Sequence, residues 1–479
     1  MSIKDYESVI GLEVHIELKT EHKLFCECAT TFGAPPNTQV CPVCLAMPGA
    51  LPAFNQQVAE FAILAGLATH CSIEPWSRFD RKNYFYPDLP KAYQVTQNDF
   101  PLCRQGYLDI TTSEGVKRIR IARIHIEEDA GKLIHLEDEG TLVDCNRCGV
   151  PLIEIVSEPD MRNGEEAVAY LRKLRAMARY TGISDGKMNE GSLRCDVNLS
   201  VRKKGQEAMG TRVELKNLNS FNFIARAIDS EFKRQVALIE EGGTVVQETR
   251  RFDEKTGQTL AMRKKEEAAD YRYFPDPDLV PLEVMGEEVE RIRAGIPRLA
   301  DERKAQYIHD YDLTDYEAER LTDDKELSDF FERAVVASTN PKTLVNMILA
   351  DVAPLYTEDT VEDLLNPVSL GRLSDLMAEG LINSNTGRKV LKALMEEDFD
   401  PDLYIEEHDL AQINDREKLM ASVERSIQAN DRAVKDFLKG KESAMRSLIG
   451  GVMRETGGRA NPILAEAMIR EAIEAPEQP

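Results

Sequence analysis

The chain has 479 residues, of which 42% are hydrophobic and 30% are charged, and its formal net charge at pH 7 is −24. This composition excludes a disordered protein, and the length predicts two or three domains. The longest purely apolar stretch, residues 61–68, is far shorter than the roughly 20 residues of a transmembrane helix, and the N-terminus does not resemble a signal peptide. We therefore expect a cytoplasmic protein with no membrane association.

The first part of the chain, to about residue 297, mixes strand and helix patterns. Apolar residues fall at every second position from residue 10 to residue 18, which predicts a half-buried strand. Its polar face carries Glu13, His15 and Glu17. The same alternation predicts strands over residues 120–126, 193–201 and 212–216, and helical periodicity predicts helices over residues 56–69, 164–180 and 221–241. Strands with one polar face predict an α+β domain built around an open sheet surface.

After residue 297 the strand pattern stops, and amphipathic helices follow over residues 297–395 and 409–473. Helix-start signals occur at Thr314-Asp315 and at Thr322-Asp323-Asp324. Asp400-Pro401-Asp402 predicts a turn, where the helical part divides. The predicted architecture is an α+β domain over residues 1–297, a helical domain over 298–405 and a C-terminal helical domain over 406–479.

The clearest local motif is a set of four cysteines, Cys26, Cys28, Cys41 and Cys44. Two close pairs joined by a short loop can present four thiolates to one tetrahedral ion, and the odd total of nine cysteines does not favour disulfides. A zinc ion held this way is structural, because no position stays open for substrate; free thiols are the alternative. Cys145 and Cys148 form a second C-x-x-C, either an independent pair or a competitor for the same ion.

Acidic residues and one histidine form a second constellation on the predicted strands: Glu13, His15, Glu127, Glu128, Asp129 and Glu154. Glu154 stands inside the apolar run 150–156, where a carboxylate is costly unless it is paired or binds a cation. Carboxylates with one imidazole suit Mg²⁺, which prefers oxygen ligands. Structural salt bridges or exposed strand-face charges are the alternative.

Two further segments have the composition of nucleotide or RNA contacts. Residues 81–91 combine aromatics, two prolines and spaced cations, so this loop either stacks on a base and holds a phosphate or packs as an ordinary surface loop. Residues 431–459 carry a net charge of +3 on an acidic chain, which fits either an RNA contact or a solvated helix face. The sequence contains neither a P-loop nor a Rossmann glycine motif, so any nucleotide is bound outside those designs.

Taken in chain order, these segments resemble the B-subunit family of the aspartyl/glutamyl-tRNA(Asn/Gln) amidotransferases, the GatB family. The matching stretches are VIGLEVHIEL (9–18), FCECATTFGAPPNTQVCPVCLAMPG (25–49), RKNYFYPDLPKAYQ (81–94), HIEEDAGK (125–132), NRCGVPLIEIVSEPD (146–160), GSLRCDVNLSVR (191–202), ELKNLNS (214–220), YRYFPDPDL (271–279) and GKESAMRSLIGGVMRETGGRANP (440–462). The resemblance covers essentially the whole chain.

The resemblance implies a cradle-shaped kinase and transamidase domain followed by two helical domains, the last of which contacts tRNA. It implies a ligase that uses ATP and Mg²⁺ to phosphorylate the side-chain carboxylate of misacylated Glu-tRNA(Gln), Asp-tRNA(Asn) or both, after which ammonia displaces the phosphate. The ammonia comes through a channel from the glutaminase, which is the A subunit, and a small C subunit wraps the other two.

The same resemblance implies roles for individual residues. Glu13, His15, Glu128 and Glu154 are expected to bind Mg²⁺ and form the active site, and Cys26, Cys28, Cys41 and Cys44 to hold structural zinc. Lys82, Lys91 and Asp278 are expected near the ATP phosphates or the ammonia path, and Arg446, Arg454 and Arg459 near tRNA phosphates. The sequence departs from the family pattern at Cys145 and Cys148, so a role for that pair stays open.

Two other functions fit parts of the sequence. A zinc-stabilised RNA-binding scaffold without catalysis accounts for the cysteines and the basic tail, but it gives no reason for a glutamate inside residues 150–156. A free-standing ATP-dependent ligase acting on a small metabolite accounts for the acidic residues but not for the tail.

Overall fold

The computed structural model describes residues 3–136, 140–264, 270–355 and 364–474. The chain divides into two compact units, residues 1–300 and 301–479. The first unit contains strands and helices, and the described part of the second contains helices without a strand. The α+β class predicted from the sequence is thereby confirmed, whereas the three-way division at residues 297 and 405 stays a prediction.

The first unit has its helices and strands in the following order. After a short 3-10 helix, Ile3–Asp5, come β1 (Tyr6–Glu17), α1 (Gln56–Ala68), β2 (Ser72–Ile73), β3 (Trp76–Ser77), β4 (Asp80–Asn83), β5 (Tyr93–Thr96), β6 (Cys103–Thr112), β7 (Gly115–Glu128), β8 (Lys132–Leu136), β9 (Gly140–Asp144), β10 (Pro151–Ser157), α2 (Gly164–Thr181), β11 (Leu193–Lys203), β12 (Val213–Lys216), α3 (Phe221–Glu240), β13 (Glu248–Asp253), β14 (Gln258–Lys264), β15 (Phe274–Pro275), β16 (Leu282–Glu283) and α4 (Gly286–Ala294).

A nine-stranded sheet forms the centre of this unit, in the order β14-β13-β12-β11-β1-β10-β7-β6-β2. Neighbouring strands run antiparallel except β12 and β13, which are parallel. Successive side chains of a strand point to opposite faces, so the alternation predicted for β1 sends Leu12, Val14 and Ile16 into the core. Buried side chains of α1, α2 and α3 belong to the same core, which leaves the polar side chains of β1 on the other face.

A smaller three-stranded sheet, β15-β4-β5, also belongs to the first unit. It brings residues 80–83 and 93–96 together by antiparallel pairing, with Lys82 opposite Gln94. The side chains of β5 reach the end of β7, as hydrogen bonds from Gln94 and Thr96 to Glu127 show. This sheet therefore positions Lys82 and the side chains of β5 beside the end of β7.

The second unit consists of helices around two hydrophobic cores. Its helices are α5 (Ala300–Tyr311), α6 (Asp315–Thr322), α7 (Lys325–Val336), α8 (Pro341–Met347), a π-helical turn (Ile348–Val352), α9 (Pro367–Ala378), α10 (Ser384–Glu396), α11 (Pro401–Glu407), α12 (Arg416–Ala429), α13 (Asp431–Leu438), a 3-10 turn (Glu442–Ala444), α14 (Met445–Glu455) and α15 (Pro462–Glu474). One core runs from Tyr307 to Ile405 and the other from Leu419 to Ile469.

Both helix-start signals in this unit are confirmed. Thr314 caps α6 with a reciprocal capping box to Glu317, and the side chain of Asp324 caps α7. The turn predicted at residues 400–402 is wrong: Asp400 caps α11, and Pro401 occupies its first turn, where a missing N–H costs nothing. Among the described residues, no helix combines the length and the apolar character needed to cross a bilayer.

Candidate active site and metal centres

Strand register brings distant residues into one row across the polar face of the large sheet. His15 on β1 lies opposite Glu154 on β10, and Glu154 lies opposite His125 on β7. On the other side of β1, His15 lies opposite Arg194 on β11. Four segments that are far apart in sequence thus meet because backbone pairing fixes their register.

The contacts in this row are close and largely buried. The His15 Nε2 atom lies 3.4 Å from Glu154 Oε2 and 3.8 Å from Glu127 Oε2. The His125 Nε2 atom lies 3.2 Å from Glu127 Oε1 and 3.4 Å from the same Glu154 Oε2 atom. Glu127 and Glu154 are 2% and 8% exposed, so the two carboxylates share a site from which water is mostly excluded.

Each carboxylate stays ionised because the neighbouring cations outweigh burial. Burial favours the neutral form of Glu154, but the charge and hydrogen bond of His125, together with His15, hold its pKa well below the ordinary value. Burial and the charge of Glu154 likewise oppose ionisation of Glu127, yet His125 and Lys82 leave its pKa lowered. Burial favours neutral His125, but the two carboxylates raise its pKa to about 9.

Lys82 supplies a further positive charge beside the two carboxylates. Burial disfavours its charged form, but Glu127, Tyr273 and Glu154 raise its pKa above the ordinary lysine value. Its Nζ atom also lies 5.3 Å from the centre of the Tyr271 ring, within the range of a cation–π contact. The structure therefore places Lys82 beside Glu127 and Glu154, while its expected role near the ATP phosphates or the ammonia path stays a prediction.

Glu13 belongs to a second acidic group on the same face. One oxygen of each carboxylate of Glu13, Asp196 and Glu214 lies within 4.8 Å of the others. The Lys216 Nζ atom is 2.5 Å from Asp196 Oδ2 and 3.1 Å from Glu214 Oε1, and Asn198 donates a 2.9 Å hydrogen bond to Glu13. Burial and then the charge of Glu154 raise the pKa of Glu13, which places the two acidic groups next to each other.

Glu128 lies on the other face of β7, so the structure does not bring it together with His15 and Glu154. It forms an ion pair with Lys91 and accepts a 2.9 Å hydrogen bond from the Val95 backbone. The physical reason is the two-residue period of a strand: His125 and Glu127 point to the polar face, and Glu128 to the opposite one. Glu127 takes the position that the sequence analysis assigned to Glu128.

Lys91, Glu128 and Asp278 line a separate cavity of about 250 Å³. Asp278 accepts a 2.8 Å hydrogen bond from Arg81, which also pairs with the buried Asp276. The three predicted residues Lys82, Lys91 and Asp278 therefore do not share one location, because Lys82 faces Glu127 and the other two face this cavity.

His15, Glu127 and Glu154 fit a divalent cation. Their ligand atoms lie within 4.8 Å of one another, and two carboxylates with one imidazole are hard ligands of the kind that Mg²⁺ accepts alongside water. Octahedral Mg²⁺ bonds of about 2.0–2.1 Å place neighbouring ligands ~2.9 Å apart. The 3.4 Å and 3.8 Å contacts of His15 need to shorten only by amounts that side-chain rotation supplies.

The four predicted cysteines also come together. The Sγ atoms of Cys26, Cys28, Cys41 and Cys44 all lie within 4.8 Å of one another, and those of Cys41 and Cys44 are 3.9 Å apart. Tetrahedral zinc with Zn–S bonds of about 2.3 Å requires sulfur atoms ~3.8 Å apart. The group therefore fits a closed, four-coordinate zinc site.

A buried lysine links this group to the second cysteine pair. Lys23 is fully buried, and its Nζ atom donates to the Gln39 carbonyl at 2.8 Å and the Cys145 carbonyl at 3.4 Å, with Cys44 Sγ at 3.7 Å. Burial, followed by Cys145, raises the pKa of Cys148. Cys145 and Cys148 do not belong to any group of described residues that can hold a metal ion.

The three arginines expected to meet tRNA differ in their surroundings. Arg446 and Arg454 are exposed on α14. Arg459 is half-buried, and its NH1 group donates to the Asp409 carbonyl at 2.7 Å and forms an ion pair with the Asp409 carboxylate. Of these three described arginines, Arg446 and Arg454 are the two that solvent reaches freely.

The sequence alone did not identify His125, nor the companions of Glu13, which are Asp196, Asn198, Glu214 and Lys216. Glu127 was among the acidic candidates, but the expected Mg²⁺ role went to Glu128. The two-residue period of residues 120–128 contained enough information to choose Glu127, because it places Glu127 with His125 and Glu128 with Ile126. The pairing of β1 with β10 and β11 has no signal in a single sequence, so the partners of Glu13 could not be found.

Two domain families match the chain. Residues 8–290 match the GatB/GatE catalytic domain, and residues 329–473 match the GatB domain. The chain is 50% identical to the aspartyl/glutamyl-tRNA(Asn/Gln) amidotransferase B subunit of Caldicellulosiruptor saccharolyticus, over 98% of this chain and 99% of that protein. It is 48% identical to the proteins of the same name from Agathobacter rectalis and Carboxydothermus hydrogenoformans, over 98% of this chain and at least 99% of each relative.

Proposed function

This chain belongs to the family of the GatB/GatE catalytic domain and the amidotransferase B subunits, and we propose that it activates a misacylated tRNA for amidation. As a protein of this type it is part of a glutamine-dependent ligase that forms carbon–nitrogen bonds. The proposed substrate is Glu-tRNA(Gln), Asp-tRNA(Asn) or both. The proposed partners are the glutaminase, or A subunit, and the small C subunit of the same complex.

The proposal rests on one observation: the polar face of the large sheet brings together His15, Glu127, Glu154 and Lys82. A carboxylate does not accept ammonia unaided, so one of its oxygens must first attack the γ-phosphorus of ATP while the bond to ADP breaks. Ammonia then attacks the carbonyl carbon, and phosphate leaves with the bonding electron pair. His15, Glu127 and Glu154 would hold Mg²⁺, which would supply positive charge to balance the phosphate oxygens.

The chain's own residues supply the remaining electrostatics. His15, Glu127 and Glu154 fit the cation, and burial of the two carboxylates keeps water from weakening their charges. Lys82 lies beside them as a fixed positive charge able to meet phosphate oxygens. Glu13, with Asp196 and Glu214, adds an oxygen-rich position on the same face.

Two other groups are proposed to serve the same reaction. The cavity lined by Lys91, Glu128 and Asp278 lies on the opposite side of β7, where polar groups are available along an ammonia path. Cys26, Cys28, Cys41 and Cys44 are proposed to hold structural zinc, and their closed geometry leaves no place for substrate.

Reconstitution of the complex tests the proposal. The chain is combined with its two partner proteins, ATP, Mg²⁺, glutamine and misacylated tRNA, and ADP release and amidated aminoacyl-tRNA are measured. Glu154→Gln keeps the shape of the side chain but removes one negative charge from the site. We expect it to abolish tRNA-dependent ADP release while glutamine hydrolysis without tRNA stays near the wild-type rate.

Glu114→Gln is the matched control, because Glu114 is exposed at the turn between β6 and β7. It should leave every readout unchanged. Normal ADP release and amidation by Glu154→Gln would place the activation site elsewhere. Wild-type complex that binds the tRNA but neither releases ADP nor amidates it would favour the non-catalytic scaffold.

A further inference from the structure

The structure contains two histidines at the acidic site, and they differ in their surroundings. The side chain of His15 is 22% exposed, whereas that of His125 is 3% exposed. Both approach the same oxygen, Glu154 Oε2, at 3.4 Å. An incoming cation can therefore reach His15 from solvent, while His125 lies enclosed behind the two carboxylates.

The two carboxylate oxygens of Glu127 face different histidines. Its Oε1 atom is held by His125 Nε2 at 3.2 Å and by the Thr96 hydroxyl at 2.6 Å. Its Oε2 atom faces His15 at 3.8 Å and accepts a hydrogen bond from Gln94 at 3.2 Å. The enclosed donors thus fix one oxygen and leave the other facing the imidazole of His15.

Thr96 and Gln94 hold Glu127, whereas His125 Nε2 is the group that contacts Glu127 and Glu154 together from the enclosed side. The carboxylates of Glu127 and Glu154 both approach His15 Nε2, at 3.8 Å and 3.4 Å, so their like charges repel each other. A single buried N–H shared between Glu127 Oε1 and Glu154 Oε2 offsets that repulsion and sets the rotamers of both carboxylates.

We propose that His125 is a positioning residue of the cation site: its Nε2 group holds Glu127 and Glu154 in the orientation that binds the cation, whereas His15 is a ligand. The inference rests on the proposed function, because it assumes that His15, Glu127 and Glu154 bind the cation. Removal of a group that hydrogen-bonds to a metal ligand and fixes its orientation typically weakens metal binding by ~10–100-fold.

A pair of neutral substitutions separates positioning from other roles. In His125→Gln the amide nitrogen reaches the place of Nε2 and keeps the hydrogen bonds to the carboxylates. In His125→Asn the shorter side chain reaches only the place of Nδ1, which has no hydrogen-bond partner. The two variants are alike in charge and polarity, and they differ in whether a donor stands between Glu127 and Glu154.

The test uses the intact complex with its partner proteins. Mn²⁺ binding is titrated by electron paramagnetic resonance without tRNA, and the Mg²⁺ dependence of tRNA-dependent ADP release is measured in parallel. We expect His125→Asn to raise the half-saturating Mg²⁺ concentration ~10–100-fold, with much of the rate restored at saturating Mg²⁺. His125→Gln should stay within about threefold of wild type, and His15→Gln should lose Mn²⁺ binding.

His309→Gln is the control, since the His309 side chain is 88% exposed and lies in the second unit. Equal loss of Mn²⁺ binding in His125→Gln and His15→Gln would overturn the proposal and make His125 a ligand. Wild-type Mn²⁺ affinity in His125→Asn would also overturn the proposal. So would a loss of folding in both His125 variants, because the role of His125 would then be structural. If wild type itself binds no Mn²⁺ and shows no Mg²⁺ dependence, the proposed cation site fails instead.

Discussion

The acidic site and the cysteine group both fit a divalent cation, yet the chain builds them in different ways. Four cysteines from residues 26–44 converge within a single loop region. The acidic site takes His15, Glu127 and Glu154 from three strands, and the backbone pairing of β1, β10 and β7 brings them together. Zinc bound by the cysteine group would cross-link one loop, whereas the acidic site is held by the sheet.

This difference predicts opposite responses to loss of the metal. A loop that closes around four thiols loses its main cross-link when the ion is removed. At the acidic site, strand pairing and the hydrogen bonds that Thr96, Gln94 and His125 make to Glu127 are contacts within the protein. Removal of zinc should therefore cost stability, and removal of Mg²⁺ should cost activity alone.

The largest expected effect follows from changing the cysteines. The double variant Cys41→Ser, Cys44→Ser should reduce zinc from about one ion per chain to none and lower the melting temperature markedly. Binding of structural zinc contributes an apparent ~10–16 kcal/mol to the folding of small peptides, and it contributes a smaller fraction of the stability of a large domain. Elemental analysis and thermal unfolding check this. Zinc retained in that variant but lost from Cys145→Ser, Cys148→Ser would move the site to the second pair.

The next effect concerns which glutamate of β7 serves the acidic site. Glu127→Gln should reduce tRNA-dependent ADP release ~10²–10³-fold, as loss of a major electrostatic contact does, with an unchanged melting temperature. Glu128→Gln breaks the ion pair with Lys91 on the other face and should leave the Mg²⁺ dependence of ADP release as in wild type. Steady-state assays over a Mg²⁺ series check both. A reversed pattern would mean that this strand register is not the functional one.

A smaller effect, on tRNA binding, is expected from the exposed arginines of α14, which belong to neither the sheet nor a metal site. The double variant Arg446→Gln, Arg454→Gln should weaken tRNA binding several-fold and make its salt dependence less steep by between one and two counterions. Arg459→Gln instead removes a contact with Asp409 and should lower stability more than tRNA affinity. Filter binding at several salt concentrations measures the change. Unaltered affinity after deletion of residues 409–479 would exclude this tail as a tRNA contact.

The smallest effect is a pH dependence of stability at the end of β1. Burial and the neighbouring Asp129 raise the pKa of Glu17 to about 8. Between the ordinary value of 4.5 and about 8 the folded protein therefore binds more protons than the unfolded chain, so the contribution of Glu17 to stability falls as pH rises. Glu17→Gln should gain melting temperature relative to wild type as the pH is raised through this range. A difference in melting temperature between Glu17→Gln and wild type that stays constant over this pH range would contradict the raised pKa. The exposed control Glu114→Gln should show no pH-dependent difference from wild type.

The sequence predicted the elements of both sites better than it predicted their assembly. Local spacing was sufficient for the four cysteines, because their partners lie in one short segment. The two-residue period identified β1 and its polar residues Glu13 and His15, and the apolar run around Glu154 identified a buried carboxylate that needed a partner. Resemblance to the family, and not the pattern itself, joined Glu154 to His15.

The sequence did not predict the register of the strands or the face of the sheet to which each side chain points. The choice of Glu128 over Glu127 came from the family resemblance, which did not take into account the side of β7 to which each residue points. Asp196 and Glu214 became partners of Glu13 only through pairing of β1 with β11 and of β11 with β12. Such pairing is decided by the whole sheet, since each strand must bury its apolar side chains at once.

The parallel pairing of β12 and β13 has a consequence for how the molecule assembles. Parallel neighbours need a crossover connection, and here the crossover contains α3 and returns the chain so that Thr249 donates a 2.8 Å hydrogen bond to Glu214. Thr249 and Glu214 are only 35 residues apart, whereas the pairing of β1 with β10 joins His15 to Glu154 across 139 residues, so chain entropy favours formation of the β12–β13 contact first. During refolding we expect amide protons of β13 to become protected from exchange before those of β1 and β10, so that the row of His15, Glu154 and His125 is completed last.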